Sequence, residues 1–332
     1  STHANVKYLF AFFATNQLFE KLAALTDKYH NYSNIINLIL QFFDECVKNQ
    51  IVHLSIAEST HMCQACLAVM ETYRKYNAGR TFTGSSLESN AEEEQFQDVL
   101  TLISIGTHVV SKDFLDFAGP DQSDTADLID ISMVVFQGLN LILPLITQDM
   151  LQFPKLCMQY FTLVTFMFEM YPEKAAQLPP ALFQQLISSI VYGTKHHKAK
   201  ISRLSFEALR SMAMRNVQQN REIFQQQEVQ NPTFVSYLLE NVFSLLLFEA
   251  FSDDMVEAAA EALLPLILWD EDKFKQMVNK LVQGESGSPE RQQRLLAAFS
   301  VLFEGVNPQE KTSRANEKKF LENLEKFLLT VR

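Results

Sequence analysis

The chain has 332 residues, 47% of them hydrophobic, with 27 Phe but only 9 Gly and 10 Pro. That apolar content excludes wholesale disorder, and scarce Gly and Pro argue against sheets joined by tight turns, which leaves helix. The formal net charge is −11, from 28 basic and 39 acidic residues, a balance that disfavours a nucleic-acid backbone and suits basic protein partners.

Helical periodicity runs through almost the whole chain, and no alternating strand pattern interrupts it. The expected helices cover 3–24, 33–49, 55–77, 91–110, 124–147, 154–170, 180–193, 197–215, 231–249, 254–268, 270–283, 289–304 and 313–331. The chain opens on Ser1, with helical pattern at once and no signal-peptide pattern, which reads as part of a longer protein. Residues 79–90, GRTFTGSSLESN, read as a polar mobile loop. After the break FAGPDQSD, Ser123 or Asp124 can cap the next helix, and Asp124, Asp127 and Asp130 load its first turns, where the helix dipole favours acids. The stretch 131–147, ISMVVFQGLNLILPLIT, is uncharged but carries Gln137, Gly138, Asn140 and Pro144. It is too short and too polar for a membrane span and reads as a buried helix. YPEK stops the helix before it, and LPP opens the next with Pro in its first turn.

Many helices in short-looped succession suggest antiparallel pairs. Four helices look equivalent: CMQYFTLVTFMF, ISRLSFEALRSM, MVEAAAEALLPLIL and RQQRLLAAFSVLF. Aligning Leu163, Leu209, Leu263 and Phe299 gives spacings of 46, 54 and 36 residues, near the ~40–47 of HEAT and armadillo repeats. The expected fold is all-α, a single array of HEAT-type helix pairs over residues 1–332 stacked as an α-solenoid.

The segment HMCQAC at 61–66 poses the main chemical question. In a helix Cys63 and Cys66 lie about 60° apart, while His61 points about 140–160° away, so one metal cannot take all three. No second CxxC or paired His completes four ligands, and only Cys46 and Cys157 remain. Buried, inert cysteines in a reducing compartment are therefore expected, with no metal and no cofactor. His108 reads as a partly buried histidine. Dinucleotide, P-loop, zincin, hydrolase-elbow and EF-hand motifs are absent from the sequence, so an enzyme is not expected.

The charge clusters are the candidate partner contacts. One is acidic: Asp124, Asp127 and Asp130, then Asp253, Asp254 and Glu257 followed by Glu261. Glu92–Glu94 and Asp270–Asp272 read as helix caps and solvated faces. The other cluster is basic: Lys195, Lys198, Lys200 and Arg203 beside His196 and His197. An acidic face attracts a basic partner and a basic turn an acidic one.

SKDFLDF (111–117), GLNLILPLITQDMLQFPKLCMQYF (138–161) and YPEKAAQLPPALF (171–183) carry a specific likeness. This stretch resembles the C-terminal region of the exportin-4 family, and less closely the exportin-7 family, nuclear export receptors of the importin-β superfamily. KKFLENLEKFLLTVR (318–332) looks like the family's closing helix. The resemblance implies a HEAT solenoid that shuttles between nucleus and cytoplasm. It implies binding to Ran-GTP, to Phe-Gly repeats of the nuclear pore and to protein cargo, with basic translation factor 5A as the implied cargo. It does not imply membrane insertion or direct contact with nucleic acid. It assigns no contact residues, though Ran is a candidate partner for the Lys195–Arg203 patch. The rival reading is a HEAT scaffold or adaptor that binds its partners regardless of Ran.

Overall fold

The structure, a computed structural model, describes residues 8–9, 11–13, 17–77, 89–117, 131–249, 252–284, 289–306 and 313–331. Among them the only regular structure is helix. The helices are α1 (Leu18–Lys28), α2 (Ser33–Gln50), α3 (Ile56–Asn77), α4 (Ser89–Phe117), α5 (Ile131–Ile142), α6 (Pro154–Met170), α7 (Pro172–Ala176) and α8 (Pro180–Thr194). They continue as α9 (Ala199–Gln218), α10 (Gln225–Gln230), α11 (Phe234–Phe248), α12 (Asp253–Trp269), α13 (Glu271–Gly284), α14 (Pro289–Leu302) and α15 (Arg314–Val331). The chain forms two compact units, Ser1–Lys174 and Ala175–Arg332.

Local chemistry sets several helix starts. At α3 the sequence SIAE forms a capping box: the Ser55 N–H and hydroxyl donate to Glu58 Oε2 at 2.8 and 2.7 Å, and the Glu58 N–H points back at Ser55 Oγ at 3.4 Å. Prolines stand in the first turns of α6 and α8, where a missing N–H costs nothing.

Each unit has two layers of helices. In the first, α4 packs between α2 and α6, while α3 packs between α1 and α5. In the second, α8, α11 and α13 form one layer and α9, α12 and α15 the other, with α9 against α12 as the most extensive helix contact. This is the all-α, α-solenoid architecture expected from the sequence, built of helix pairs whose apolar faces are covered only by their neighbours.

The core of the second unit is aromatic. Phe243 of α11 meets Phe274 of α13, Phe299 of α14 and Phe327 of α15 at ring-centre distances of 6.0, 5.8 and 5.9 Å. A second cluster sets Trp269 against Phe224 and Phe234 at 5.4 and 5.5 Å. The Trp269 indole N–H donates to Glu228 Oε1 at 2.8 Å, which satisfies the one polar atom of a side chain otherwise buried. Buried Gln227 donates to the carbonyls of Ala176 and Leu178, both at 2.8 Å. That bond holds short α10 against the start of α8. Buried Asn323 does the same for Leu302 and Glu304, where α14 ends.

Several expectations change. Of the helix expected at 124–147, residues 124–130 lie outside the described residues, and the helix ends at Ile142, because Pro144 turns the chain into a tight 3-10 turn at Leu143–Leu145. Yet Pro265 stays inside α12, where buried Leu264, Leu266, Ile267 and Trp269 hold the helix on. The helix expected to end at 110 continues to Phe117 as α4. The fourth supposed repeat equivalent, α14, gives way to α15 as the main neighbour of α12 on the side away from α9. Residues 79–88 of the expected loop, and 3–7, 10 and 14–16 of the first expected helix, lie outside the described residues. No helix among the described residues is long and apolar enough to cross a membrane.

Because Phe243 touches rings from three other helices, truncation opens a cavity that neighbours cannot collapse into. Phe243→Ala is expected to destabilise the second unit by about 3–5 kcal/mol, read as a lowered urea midpoint.

Candidate functional site

The parallel packing of α9 and α12 brings opposite charges into register. Arg203 lies 3.6 Å from Asp254, and two turns on Arg210 lies 3.8 Å from Glu261. Both pairs are separated by the same 51 residues, so the two helices run side by side in the same direction. Arg210 also reaches α15, donating to Glu317 Oε1 at 2.8 Å. Arg221 continues the series past the end of α9. Its guanidinium donates to the Leu268 carbonyl at 2.8 Å and sits 3.7 Å from Glu271. It thereby caps α12. Asn220 and Arg221 both have positive φ, 53° and 69°, an uncommon backbone for Arg. The Arg221 N–H bond to the Asn216 carbonyl at 2.7 Å and the side-chain cap hold it there.

Around Arg210 the face is acidic. Desolvation raises the pKa of Glu261, Arg210 lowers it, and Glu317, Glu257 and Glu207 raise it further. Arg210 pairs with two of the four carboxylates grouped around Glu261, leaving a local excess of negative charge across α9, α12 and α15. A further cation placed here would relieve repulsion already present.

The predicted contact residues fall in three groups. Asp254 and Glu257 are exposed on α12 beside this face. Asp253 heads the same helix, its side chain outside the described residues, and Asp124, Asp127 and Asp130 lie outside them altogether. The basic group sits at the α8–α9 turn, with Lys195, Lys200 and Arg203 exposed and Lys198 half-buried. Asp270 and Asp272 cap and pair locally, Asp270 accepting the Lys273 N–H at 3.0 Å and Asp272 lying 3.7 Å from Lys275, while Glu271 faces Arg221. The structure adds Arg210 and Glu317, 107 residues apart, which no local pattern marks.

A second feature was also invisible in the sequence. An apolar groove of about 640 Å³ is lined by Ile267, Leu268, Phe274, Val278, Phe299 and Phe303, with Glu271 and Lys275 at its rim. It lies where the end of α12, α13 and α14 meet.

The HMCQAC segment resolves as packing. Cys46, Cys63, Cys66 and Cys157 are all buried, and no metal-binding group of three His, Cys, Asp or Glu occurs among the described residues. His61 turns away, 3.1 Å from Glu20 and edge-on to Phe19. Burial, then Glu45, pushes the Cys46 thiol up to about 12. Burial likewise pushes Cys66 well up, helped by Cys63, Cys46 and Asp44. Only the thiolate reacts readily, so an aromatic disulfide reagent is expected to leave all four cysteines unmodified in the folded protein and to label four per chain in denaturant. Rapid labelling of Cys63 or Cys66 without denaturant would contradict the packing role.

The raised Glu261 makes a pH prediction. Its folded pKa exceeds its unfolded value, so the folded state binds the proton more tightly and ionised Glu261 costs stability at neutral pH. The carboxylate is 41% exposed, so screening keeps the effect below about 1 kcal/mol. Glu261→Gln is expected to raise the melting temperature slightly at pH 7. The gain is expected to vanish as pH falls below the ordinary Glu range, where both states of the wild type are protonated.

A family model, Exportin-4, matches residues 5–332. Exportin-4 of Dictyostelium discoideum is 25% identical over 330 residues, covering 96% of this chain and 27% of that protein. Exportin-7-B of Xenopus laevis is 25% identical over 215 residues, covering 60% of this chain and 19% of that protein. Ran-binding protein 16 of Drosophila melanogaster is 24% identical over 213 residues, covering 57% of this chain and 18% of that protein. The chain therefore spans about a quarter of the length of the first of these relatives. A family model matched over nearly every residue, on a two-layered helical array, establishes that the chain belongs to the exportin-4 family.

Proposed function

We propose that this chain is part of a nuclear transport receptor that carries protein cargo out of the nucleus in a complex with Ran-GTP. The observation that carries this reading is the family match over residues 5–332, joined to a fold built of exposed, stacked helix pairs. The name of the Drosophila relative, Ran-binding protein 16, supports Ran as a partner. The work is binding and flexing, without covalent chemistry. Small rotations between successive helix pairs add up along such an array. Ran-GTP and cargo that favour the same arrangement then strengthen each other's binding by the same factor.

The acidic face suits a basic cargo. Glu207, Glu257, Glu261 and Glu317 cluster around Arg210, and Asp253 and Asp254 open α12 nearby in sequence. Translation factor 5A, a small basic-featured protein, is the cargo this reading favours. Asp124, Asp127 and Asp130 are proposed as a further acidic contact. The groove beneath Phe274, Phe299 and Phe303 is wide enough for a phenylalanine ring, and it is the proposed seat for Phe-Gly repeats during passage through the pore. Shuttling between nucleus and cytoplasm follows from that cycle.

The test uses the full-length parent protein, incubated with nuclear lysate and Ran loaded with GTP or GDP. Cargo is expected to be retained only with Ran-GTP. Partners retained equally in both states would replace this reading with a constitutive scaffold, and cargo released by Ran-GTP would make the receptor an importer.

A further inference from the structure

A positive patch stands out in this acidic chain at the turn between α8 and α9. Lys195, Lys198, Lys200 and Arg203 fall within nine residues, and no carboxylate enters until Glu207. Among the described residues, Lys195, Lys198 and Lys200 form no ion pair with the rest of the chain. Arg203 has one partner, Asp254 at 3.6 Å, with the two side chains 49% and 81% exposed. That is a loose surface pair worth little.

The turn is rigid. His196 and His197 stack with ring centres 4.2 Å apart. The Lys198 N–H donates to His196 Nδ1 at 3.1 Å, and the Ser202 hydroxyl donates to the His196 carbonyl at 2.8 Å. Thr194 accepts from Asn241 of α11 at 3.0 Å, tying the turn to the next helix pair. The lysines thus project from a preset backbone, which lowers the ordering cost of binding. Lys198 is the N-cap of α9 and makes no side-chain capping bond, so the first-turn amides add partial positive charge to the same spot.

We propose that the Lys195–Lys200 turn, with Arg203, is a docking site for an acidic peptide segment of a protein partner, and that Asp254 is the intrachain competitor for Arg203. Charge complementarity decides the occupant. The patch spans one turn and the first helical turn of α9, a length matched by a few carboxylates. A longer polyanion is disfavoured, because past Arg203 it would run onto Asp254 and, one turn further along α9, onto Glu207. The inference stands apart from the transport reading, since it requires neither Ran nor a cargo.

The test is direct binding to the intact chain of a labelled peptide of alternating Glu and Ser. Single-stranded RNA and phosphatidylserine vesicles serve as rival probes. The peptide is expected to bind, with affinity falling as salt rises. Replacing Lys195, Lys198 and Lys200 together by Ala is expected to weaken it about tenfold, the sum of three exposed ion pairs. Asp254→Asn is expected to strengthen it about two- to threefold by releasing Arg203. Replacement of Lys273 and Lys280 on α13 by Ala is expected to leave it unchanged. All these positions are on the surface, and an unchanged far-ultraviolet circular dichroism spectrum checks folding. The proposal is overturned if the peptide does not bind, if the triple variant binds it as well as wild type, or if Asp254→Asn does not gain. Tighter binding of RNA or vesicles than of the peptide overturns it too.

Discussion

A pair of antiparallel helices cannot bury its own apolar face, and everything else in this protein depends on that constraint. Each pair must be covered by the next, so like helices come to lie side by side and parallel. The α9–α12 contact is the clearest instance: Ala208, Leu209 and Met212 on one helix and Ala259, Leu263 and Leu266 on the other are fully buried. Because neighbours run the same way, a charge on one helix meets the charge at the same height on the next. Arg203 with Asp254 and Arg210 with Glu261 are consequences of the stacking.

The same constraint leaves the rest of each helix free. Surfaces not consumed by stacking carry exposed side chains in long rows, and charge sorts along them. On α9 the row changes sign: a basic turn at Lys195–Lys200 gives way to Arg203 paired with Asp254, then to Arg210 surrounded by Glu207, Glu257, Glu261 and Glu317. One face can therefore meet partners of opposite charge a few turns apart. Buried polar links hold the rows in place. Gln227, Asn241 and Asn323 each spend side-chain amide donors on carbonyl or hydroxyl oxygens that would otherwise be stranded in the core.

Much of this was legible in the sequence, and for physical reasons. Helix positions followed from apolar periodicity, and α2, α3, α6 and α8 ended within a residue or so of expectation because Pro, Gln and Asn punctuate them. The spacing of HMCQAC already separated His61 from the thiols, and the structure sends it to Glu20. What was not legible depends on tertiary contact. Short α7 and α10 are set by distant partners, α10 through Gln227 reaching back to Ala176 and Leu178. Pro144 and Pro265 stand in similar strings with buried neighbours on both sides, yet one ends a helix and the other does not; Pro144 is itself exposed and Pro265 buried, a difference the local string does not carry. Among the candidate contacts, Asp254 and Glu257 were visible as a local run. Arg210 with Glu317 was not, since 107 residues separate them. The groove under Phe299 and Phe303 was equally hidden, because those aromatics read as ordinary core.

The transport reading proposed above requires a surface that binds proteins and responds to a nucleotide-controlled partner. The most direct measurement is amide hydrogen exchange of the full-length parent with basic cargo, in the presence of Ran-GTP and then Ran-GDP. The account predicts slowed exchange in α9, α12 and α15 with Ran-GTP and none with Ran-GDP. Identical exchange of these three helices in the two nucleotide states would contradict it.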